Sequence, residues 1–161
     1  MGANDEDNNV FQTISLFRNG SKCIQFFDAV KHHTPPLFST NDIRKYYLVH
    51  CAVEQGNLDL VKYFINLDPT SIYHTNDKDE IPLFHVPSGT NDHTDDVKKV
   101  MRFLLQARVL DSSRIVDGGD RDDTIGGLFA KSNCGMTALQ YLISNHEGRE
   151  DDLWDKIEEA L

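Results

Sequence analysis

The sequence has little of what membrane, secreted or nucleic-acid-binding proteins contain. No run approaches the ~18 apolar residues of a membrane-spanning helix, and residues 1–9 lack the basic and apolar regions of a secretory signal. Basic residues are few, since 16 Lys and Arg against 26 Asp and Glu give a net charge of −10. An acidic surface repels phosphates and anionic lipids, so we expect no nucleic-acid and no membrane partner. Acidity alone can serve solubility; where charge steers binding, the partner is a protein with a basic face.

Cysteine is scarce, with three residues at wide spacing: Cys23, Cys51 and Cys134. The count is odd, and two of the three lie within apolar helical patterns. This usage is typical of reduced, partly buried thiols in a reducing compartment. We therefore expect an intracellular protein, in the cytoplasm with the nucleus left open.

Motifs of enzymes and metal sites are also missing. The sequence has no P-loop, no Gly-x-Gly-x-x-Gly and no Gly-x-Ser-x-Gly. Its seven histidines and three cysteines show no Cys-x-x-Cys or His-x₃-His spacing, which disfavours zinc. A Cys–His nucleophile pair would need Cys23 or Cys134 to meet a distant histidine. We expect no catalysis, no metal and no cofactor, with a small Cys/His enzyme as an alternative.

Apolar residues instead recur at helical spacing in pairs of segments joined by short turns. The first pair turns at Asn19-Gly20 and ends at the prolines of residues 32–36; the second comprises Ile43 to Gln55 and Leu58 to Leu67, with Gly56-Asn57 between them. Such a helix, turn, helix unit, repeated about every 35 residues, indicates a stacked solenoid.

Two further units follow the same plan. The third begins at residues 76–85 and ends in a predicted helix from Asp95 to Arg108. The fourth begins at residues 133–139 and ends in an apolar stripe: Trp154, Ile157, Ala160 and Leu161. We expect Trp154 to pack in the core. The sequence stops within this stripe, which favours a fragment or an end that pairs with something.

The second unit, Val49-His50-x-Ala52-Val53-x-x-Gly56-Asn57-Leu58-x-Leu60-Val61-x-Tyr63-Phe64-Ile65, resembles an ankyrin repeat. The third unit adds Ile81-Pro82-Leu83-Phe84, and the fourth adds Gly135-Met136-Thr137-Ala138-Leu139. The resemblance covers about residues 10–161, in units of about 10–38, 39–75, 76–110 and 131–161, after a disordered tail over 1–9. It implies an all-α solenoid of stacked antiparallel helix pairs, in which stacking creates the core. It also implies that His50 is structural and ties down a turn.

Among the departures from the repeat, two bear on the expected structure. Pro87-Ser88-Gly89 interrupts the first helix of the third unit, so we expect that helix to be short. A loop insertion occupies about residues 110–130 and carries four carboxylates between Asp117 and Asp123. Such a loop could make the protein a calcium- or ligand-responsive sensor, which is the other alternative function. As an EF-hand it fails, because Ile125 stands at the sixth place and Lys131 at the twelfth, so we expect a solvated loop.

The resemblance implies a protein-interaction module or scaffold that binds a partner on a concave face. That face is formed by the loop tips before each first helix and by the exposed positions of that helix. We expect Tyr141 to be an anchor, because it is aromatic where the pattern does not demand a core residue. The tip positions are Arg44, Lys45, Asp77, Lys78, Glu80, Ser132 and Asn133, and the inner-helix positions are Cys51, Glu54, Gln55, His85, Tyr141 and Ser144.

Overall fold

The computed structural model describes residues 10–17, 19–87, 94–106 and 130–145, and within these ranges the protein is all-α. Those residues contain no strand, only an isolated bridge between Lys131 and Thr137. The expectations for residues 1–9, for 110–129 with the Asp117–Asp123 loop and for the stripe from Trp154 to Leu161 lie outside the described residues. No helix in the described ranges has the length and apolarity to cross a membrane.

Seven α-helices and two 3-10 helices follow one another along the described chain. The α-helices are α1 (Val10–Ser15), α2 (Gly20–Lys31), α3 (Thr40–Lys45), α4 (Leu48–Glu54), α5 (Leu58–Leu67), α6 (Thr94–Gln106) and α7 (Ala138–Asn145). The 3-10 helices are η1 (Pro69–Tyr73) and η2 (Pro82–His85).

The central hairpin of α4 and α5 has the turn that its sequence predicts. Gly56 adopts a left-handed φ of 66°, which glycine tolerates without steric cost. Asn57 then caps α5, because its side chain accepts a hydrogen bond from the Leu60 amide at 3.2 Å. The predicted apolar stripe of α5 is confirmed as buried: Leu60, Val61, Phe64 and Ile65.

The segment from Ile43 to Gln55 is not one helix, contrary to prediction. It divides into α3 and α4 at Tyr46 and Tyr47, where Tyr47 has a left-handed φ of 50°. This backbone conformation is unfavourable for a bulky residue and needs tertiary contacts to hold it. The Tyr47 hydroxyl donates to the Asp77 carboxylate at 2.6 Å, a contact thirty residues away that the local pattern does not reveal.

Helices pack in two series across the described molecule. In the first series α1 contacts α4, α4 contacts η2, and η2 contacts α7. In the second, α2 contacts α5 and α5 contacts α6. The core between α2 and α5 is aromatic, with the rings of Phe27 and Phe64 edge to face at 4.9 Å between centroids. The apolar residues of these helices are therefore buried between neighbouring elements.

The third unit has a short first helix, as predicted. η2 is four residues long and Val86 follows it in an extended conformation, just before Pro87. Although η2 is short, its residues Leu83 and Phe84 are buried. The second helix, α6, contributes the buried residues Val100, Met101, Leu104 and Leu105.

Candidate functional site: two tip loops and the histidines beneath them

Two tight loops with the same hydrogen-bond pattern precede η2 and α7. The first tip loop is Asn76–Glu80. Its Asn76 backbone N–H donates to the Glu80 backbone carbonyl at 3.0 Å, and the Asp79 backbone N–H donates to the Asn76 backbone carbonyl at 3.0 Å. In the second tip loop, Ser132–Met136, the matching bonds are Ser132 to Met136 at 3.0 Å and Gly135 to Ser132 at 2.8 Å. The fourth residue is left-handed in both, Asp79 at φ 57° and Gly135 at φ 80°. The two loops therefore share one hydrogen-bonded backbone conformation.

Backbone and side-chain bonds hold the tip loops to each other and to the hairpins. The Asn133 amide donates to the Lys78 carbonyl at 2.9 Å, so the two loops lie side by side. On the other flank, Asp77 accepts the bond from Tyr47. Exposed side chains on these loops, such as Lys78 and Asp79, thus project from a backbone that is already fixed.

Asn76 organises the first tip loop from within. Its side-chain oxygen accepts hydrogen bonds from the Lys78 amide at 2.9 Å and from the Glu80 amide at 3.1 Å. Since both partners are donors, they fix which end of the amide is oxygen. The Asn76 nitrogen therefore faces the Glu80 carboxylate at 3.1 Å and the His85 Nε2 at 3.0 Å.

His50 ties α4 to the first tip loop. Its side chain is buried, and its Nε2 donates to the Glu80 carbonyl at 2.9 Å. The pKa of His50 is lowered to about 4, mainly by burial. The bond to the Glu80 carbonyl opposes this lowering, and the neighbouring His85 and His74 contribute to it. The ring is therefore neutral at physiological pH and serves as a structural anchor, the role that the resemblance implied.

Tyr47 lies between His50 and a third histidine, His74. The Tyr47 ring meets His50 edge to face at 5.6 Å and stacks on His74 at 6.2 Å, both between ring centroids. Burial, followed by the Arg44 charge, lowers the pKa of His74. Its buried Nδ1 has no hydrogen-bond partner among the described residues. Together His50, His74, His85 and Tyr47 form the histidine cluster beneath the first tip loop.

Arg44 and Lys45, predicted as tip residues, lie in the last turn of α3. Arg44 pairs in a forked arrangement with the Asp68 carboxylate and also donates to the Thr70 hydroxyl at 2.6 Å. The Asp68 side chain is only 7% exposed, and the Arg44 hydrogen bond lowers the pKa of that carboxyl group. Arg44 is thus committed to an internal ion pair. Lys45 is exposed, with its ammonium group 4.9 Å from the Tyr46 ring.

The predicted inner-helix positions of α4 differ in exposure. Glu54 is exposed, whereas Cys51 and Gln55 are half-buried. Burial raises the pKa of the Cys51 thiol to about 11, which makes it a poor nucleophile at neutral pH. Cys134 is exposed, and its hydrogen bond with the Ser132 hydroxyl at 3.0 Å lowers the pKa of its thiol.

At the second tip loop and α7, only some predicted positions face the surface. Asn133 and Ser144 are exposed, while Ser132 is buried and turned into its own loop. The Ser144 hydroxyl donates to the Gln140 carbonyl at 2.9 Å. Tyr141 is half-buried, because its ring packs against Phe84 at 5.6 Å.

Sequence reasoning missed Asn76, Tyr47 and His74 at this site. An Asn-Asp pair in a polar run is a recognisable turn former, so Asn76 could have been found from its type. Tyr47 and His74 become partners only through the fold, and no local pattern marks them.

The two tip loops present polar and charged side chains on a hydrogen-bonded backbone. No group of three or more His, Cys, Asp or Glu side chains in the described ranges is arranged to hold a metal ion. The exposed residues of these loops, among them Asp77, Lys78, Asp79 and Asn133, are donors and acceptors on a fixed backbone. Comparison with models of known protein families, with curated proteins and with solved structures finds no match for this chain.

Proposed function

We propose that this protein is a non-catalytic interaction module, an ankyrin-like stack of helix pairs that binds a partner protein on its tip loops and inner helices. The observation that carries the proposal is the pair of equivalent tip loops, joined side by side by the bond from Asn133 to Lys78. A row of such loops presents side chains at fixed spacing, which lowers the ordering cost of binding.

The packing order supports the ankyrin-like arrangement. The contacts of α1, α4, η2 and α7 in one series, and of α2, α5 and α6 in another, are those of helix pairs stacked in chain order. The tip loops directly precede η2 and α7, the first-series members of the third and fourth units. The proposed surface therefore combines the tips with the exposed residues of that first series.

Charge supports a partner with a basic face. Asp77 and Asp79 are exposed on the first tip loop, and Glu54 is exposed on α4. With a net charge of −10, the chain attracts basic surfaces over the range of the Debye length, ~8 Å in physiological salt. We infer that binding weakens as salt rises.

The proposal is tested by capture from cell extract with two matched triple variants. The tip variant carries Lys78→Ala, Asp79→Asn and Asn133→Ala. The control variant carries Lys22→Ala, Asp59→Asn and Gln25→Ala, three exposed positions on α2 and α5. Each variant removes one lysine charge, one aspartate charge and one amide side chain. A difference between them therefore reports the location of the substitutions. Circular dichroism and urea denaturation verify that each is folded.

We expect at least one protein, quantified by mass spectrometry, to be retained by the wild type and the control variant and lost by the tip variant. Few interface residues carry most of the binding energy, so a loss of about tenfold or more is expected from three substitutions at the centre. Partners that depend on α2 and α5 but not on the tips would contradict the proposal.

A further inference from the structure

We propose that His85, Asn76 and Glu80 form a proton-operated switch in the first tip loop, in which His85 exchanges one hydrogen-bond partner for the other when it gains a proton. The two partners lie on the same ring nitrogen. The His85 Nε2 is 3.0 Å from the Asn76 amide nitrogen and 3.3 Å from the Glu80 carboxylate. These two contacts require opposite protonation states of that nitrogen.

The contact with Asn76 requires neutral His85. The two backbone amides that bond to the Asn76 oxygen leave its NH₂ group facing His85. An NH₂ group only donates, so the His85 Nε2 must supply a lone pair and the ring proton must be on Nδ1. In this state the Asn76 NH₂ group bridges the His85 ring and the Glu80 carboxylate.

The contact with Glu80 requires a proton on the His85 Nε2. Because the Asn76 contact keeps the proton of the neutral ring on Nδ1, Nε2 gains its proton when the ring becomes charged. A proton from solvent adds to the Nε2 lone pair, and the nitrogen changes from acceptor to donor. The bond from Asn76 is then lost, because two N–H groups face each other, and the new N–H turns to the Glu80 carboxylate. The resulting ion pair is a charge-assisted bond, which is stronger than the neutral one it replaces. Histidine is the side chain whose charge changes between pH 5 and 8.

The proton of this exchange is assigned to His85 after considering the other titratable groups near it. From α4, the His50 ring lies 5.0 Å away between centroids, and it remains neutral because its pKa is lowered to about 4. Cys51 and Glu54 lie further along α4, and His74 stacks on Tyr47, whose ring also contacts His50. From α7, Tyr141 packs on Phe84, the residue before His85. In the second tip loop, the Ser132 hydrogen bond lowers the pKa of the Cys134 thiol, and the Glu80 charge opposes that shift.

The exchange alters the surface that we propose as the binding face. Protonation adds a positive charge beside Glu80 and removes one of the bonds that hold the Asn76 side chain. Because the Asn76 side chain accepts hydrogen bonds from the Lys78 and Glu80 backbone amides, these amides become less protected from hydrogen exchange. The added positive charge also makes the loop less acidic. A basic partner would bind less well in acid. This consequence rests on the proposed function, whereas the switch itself is measurable without any partner.

Nuclear magnetic resonance of the isolated protein between pH 7.5 and 5.0 tests the switch. We expect the long-range ¹⁵N pattern of neutral His85 to show the proton on Nδ1. The Asn76 NH₂ signals should move with the same midpoint as His85. After correction for intrinsic rates, hydrogen exchange at the Lys78 and Glu80 amides should become about two- to tenfold faster in acid, the equivalent of one hydrogen bond.

Two glutamine substitutions separate the switch from a general effect of acid. His85→Gln retains an acceptor for Asn76 but cannot titrate, so the pH-dependent step of the Asn76 signals should disappear. His33→Gln changes an exposed histidine in the turn after α2 and should leave the step intact. The proposal is overturned if wild-type His85 has its proton on Nε2, or if the Asn76 signals do not follow it. It is also overturned if the step survives in His85→Gln.

Discussion

The Nε2 of His50, buried in α4, lies 2.9 Å from the backbone carbonyl oxygen of Glu80, thirty positions further along the chain. The same carbonyl accepts a hydrogen bond from the backbone N–H of Asn76 at 3.0 Å. One buried imidazole therefore joins α4 to the loop before η2, and it links the stability of the fold to the geometry of the proposed binding face.

Replacing His50 with alanine should lower the free energy of unfolding by about 2–3 kcal/mol. The substitution removes a buried ring and a hydrogen bond to a carbonyl, and such core changes are among the costly classes. Urea denaturation monitored by circular dichroism measures the loss. Glu54→Ala on the same helix is the control, and it should remain within about 0.5 kcal/mol because Glu54 is exposed. Equal effects of the two variants would contradict the anchoring role.

Stability should fall as the pH is lowered through the mildly acidic range. The pKa of His50 is about 4 in the fold and 6.5 in the unfolded chain, so the unfolded state binds more protons between these values. The stabilisation is present above pH 6.5 and is lost as the pH falls towards 4. From pH 7.5 to 5, this group alone should cost about 2 kcal/mol.

Other groups act in the same direction, His74 below pH 6.5 and Asp68 below pH 3.8. His74 also has a lowered pKa and adds to the loss, and Asp68, whose pKa is lowered by Arg44, contributes in stronger acid. Urea denaturation at a series of pH values measures the slope, and His50→Gln should flatten most of it between pH 7.5 and 5. A stability that rises on acidification over this range would be inconsistent with a buried neutral His50.

Arg44→Ala should destabilise the protein although Arg44 was predicted to contact a partner. The change leaves the buried Asp68 carboxylate without its forked donor, and bonds to charged groups are worth about 1.5–3 kcal/mol. Since the Arg44 side chain is 47% exposed, we expect the lower half of that range. Lys45→Ala, at the exposed neighbouring position, is the control in the same denaturation experiment. If neither Arg44→Ala nor Lys45→Ala changes the free energy of unfolding, the ion pair does not stabilise the fold.

The equivalent left-handed residues of the two tip loops should respond alike to alanine. In Gly135→Ala the added Cβ meets nothing within 4 Å, so its cost is backbone strain of about 1 kcal/mol. Asp79→Ala should cost a similar amount, because alanine also disfavours a positive φ. Asp79→Asn removes the charge but retains a residue type that tolerates this conformation, and it should be nearly neutral. A loss in Asp79→Asn as large as in Asp79→Ala would assign the effect to charge.

The central hairpin could be predicted from sequence because its determinants are local. The stripe Leu60, Val61, Phe64 and Ile65 has helical spacing, and the Gly56-Asn57 turn has one dominant solution. Pro87 likewise predicts that the preceding helix is short. Local propensity, hydrophobic pattern and turn chemistry agree at these places, and there the structure follows the sequence.

The break at Tyr47 and the histidine cluster could not be predicted, because both depend on contacts between distant residues. The apolar pattern runs through Tyr46 and Tyr47 without a gap, and the left-handed Tyr47 is held by Asp77, thirty positions away. The sequence predicts an exposed Arg44, and only the fold brings the Asp68 carboxylate into an ion pair with it. The resemblance implied a structural role for His50, but His74 and His85 come close to it only through the packing of distant segments.

Aromatic nuclear Overhauser effects test the stacking of the helix pairs most directly. Ring-to-ring contacts should be observed between Phe27 and Phe64, between His50 and His85, and between Phe84 and Tyr141, whose centroids lie 4.9, 5.0 and 5.6 Å apart. These three contacts run from α2 to α5, from α4 to η2 and from η2 to α7, which belong to successive units of the proposed stack. Detection of all three supports the stack in chain order. A folded protein that lacks the His50–His85 and Phe84–Tyr141 contacts would contradict it.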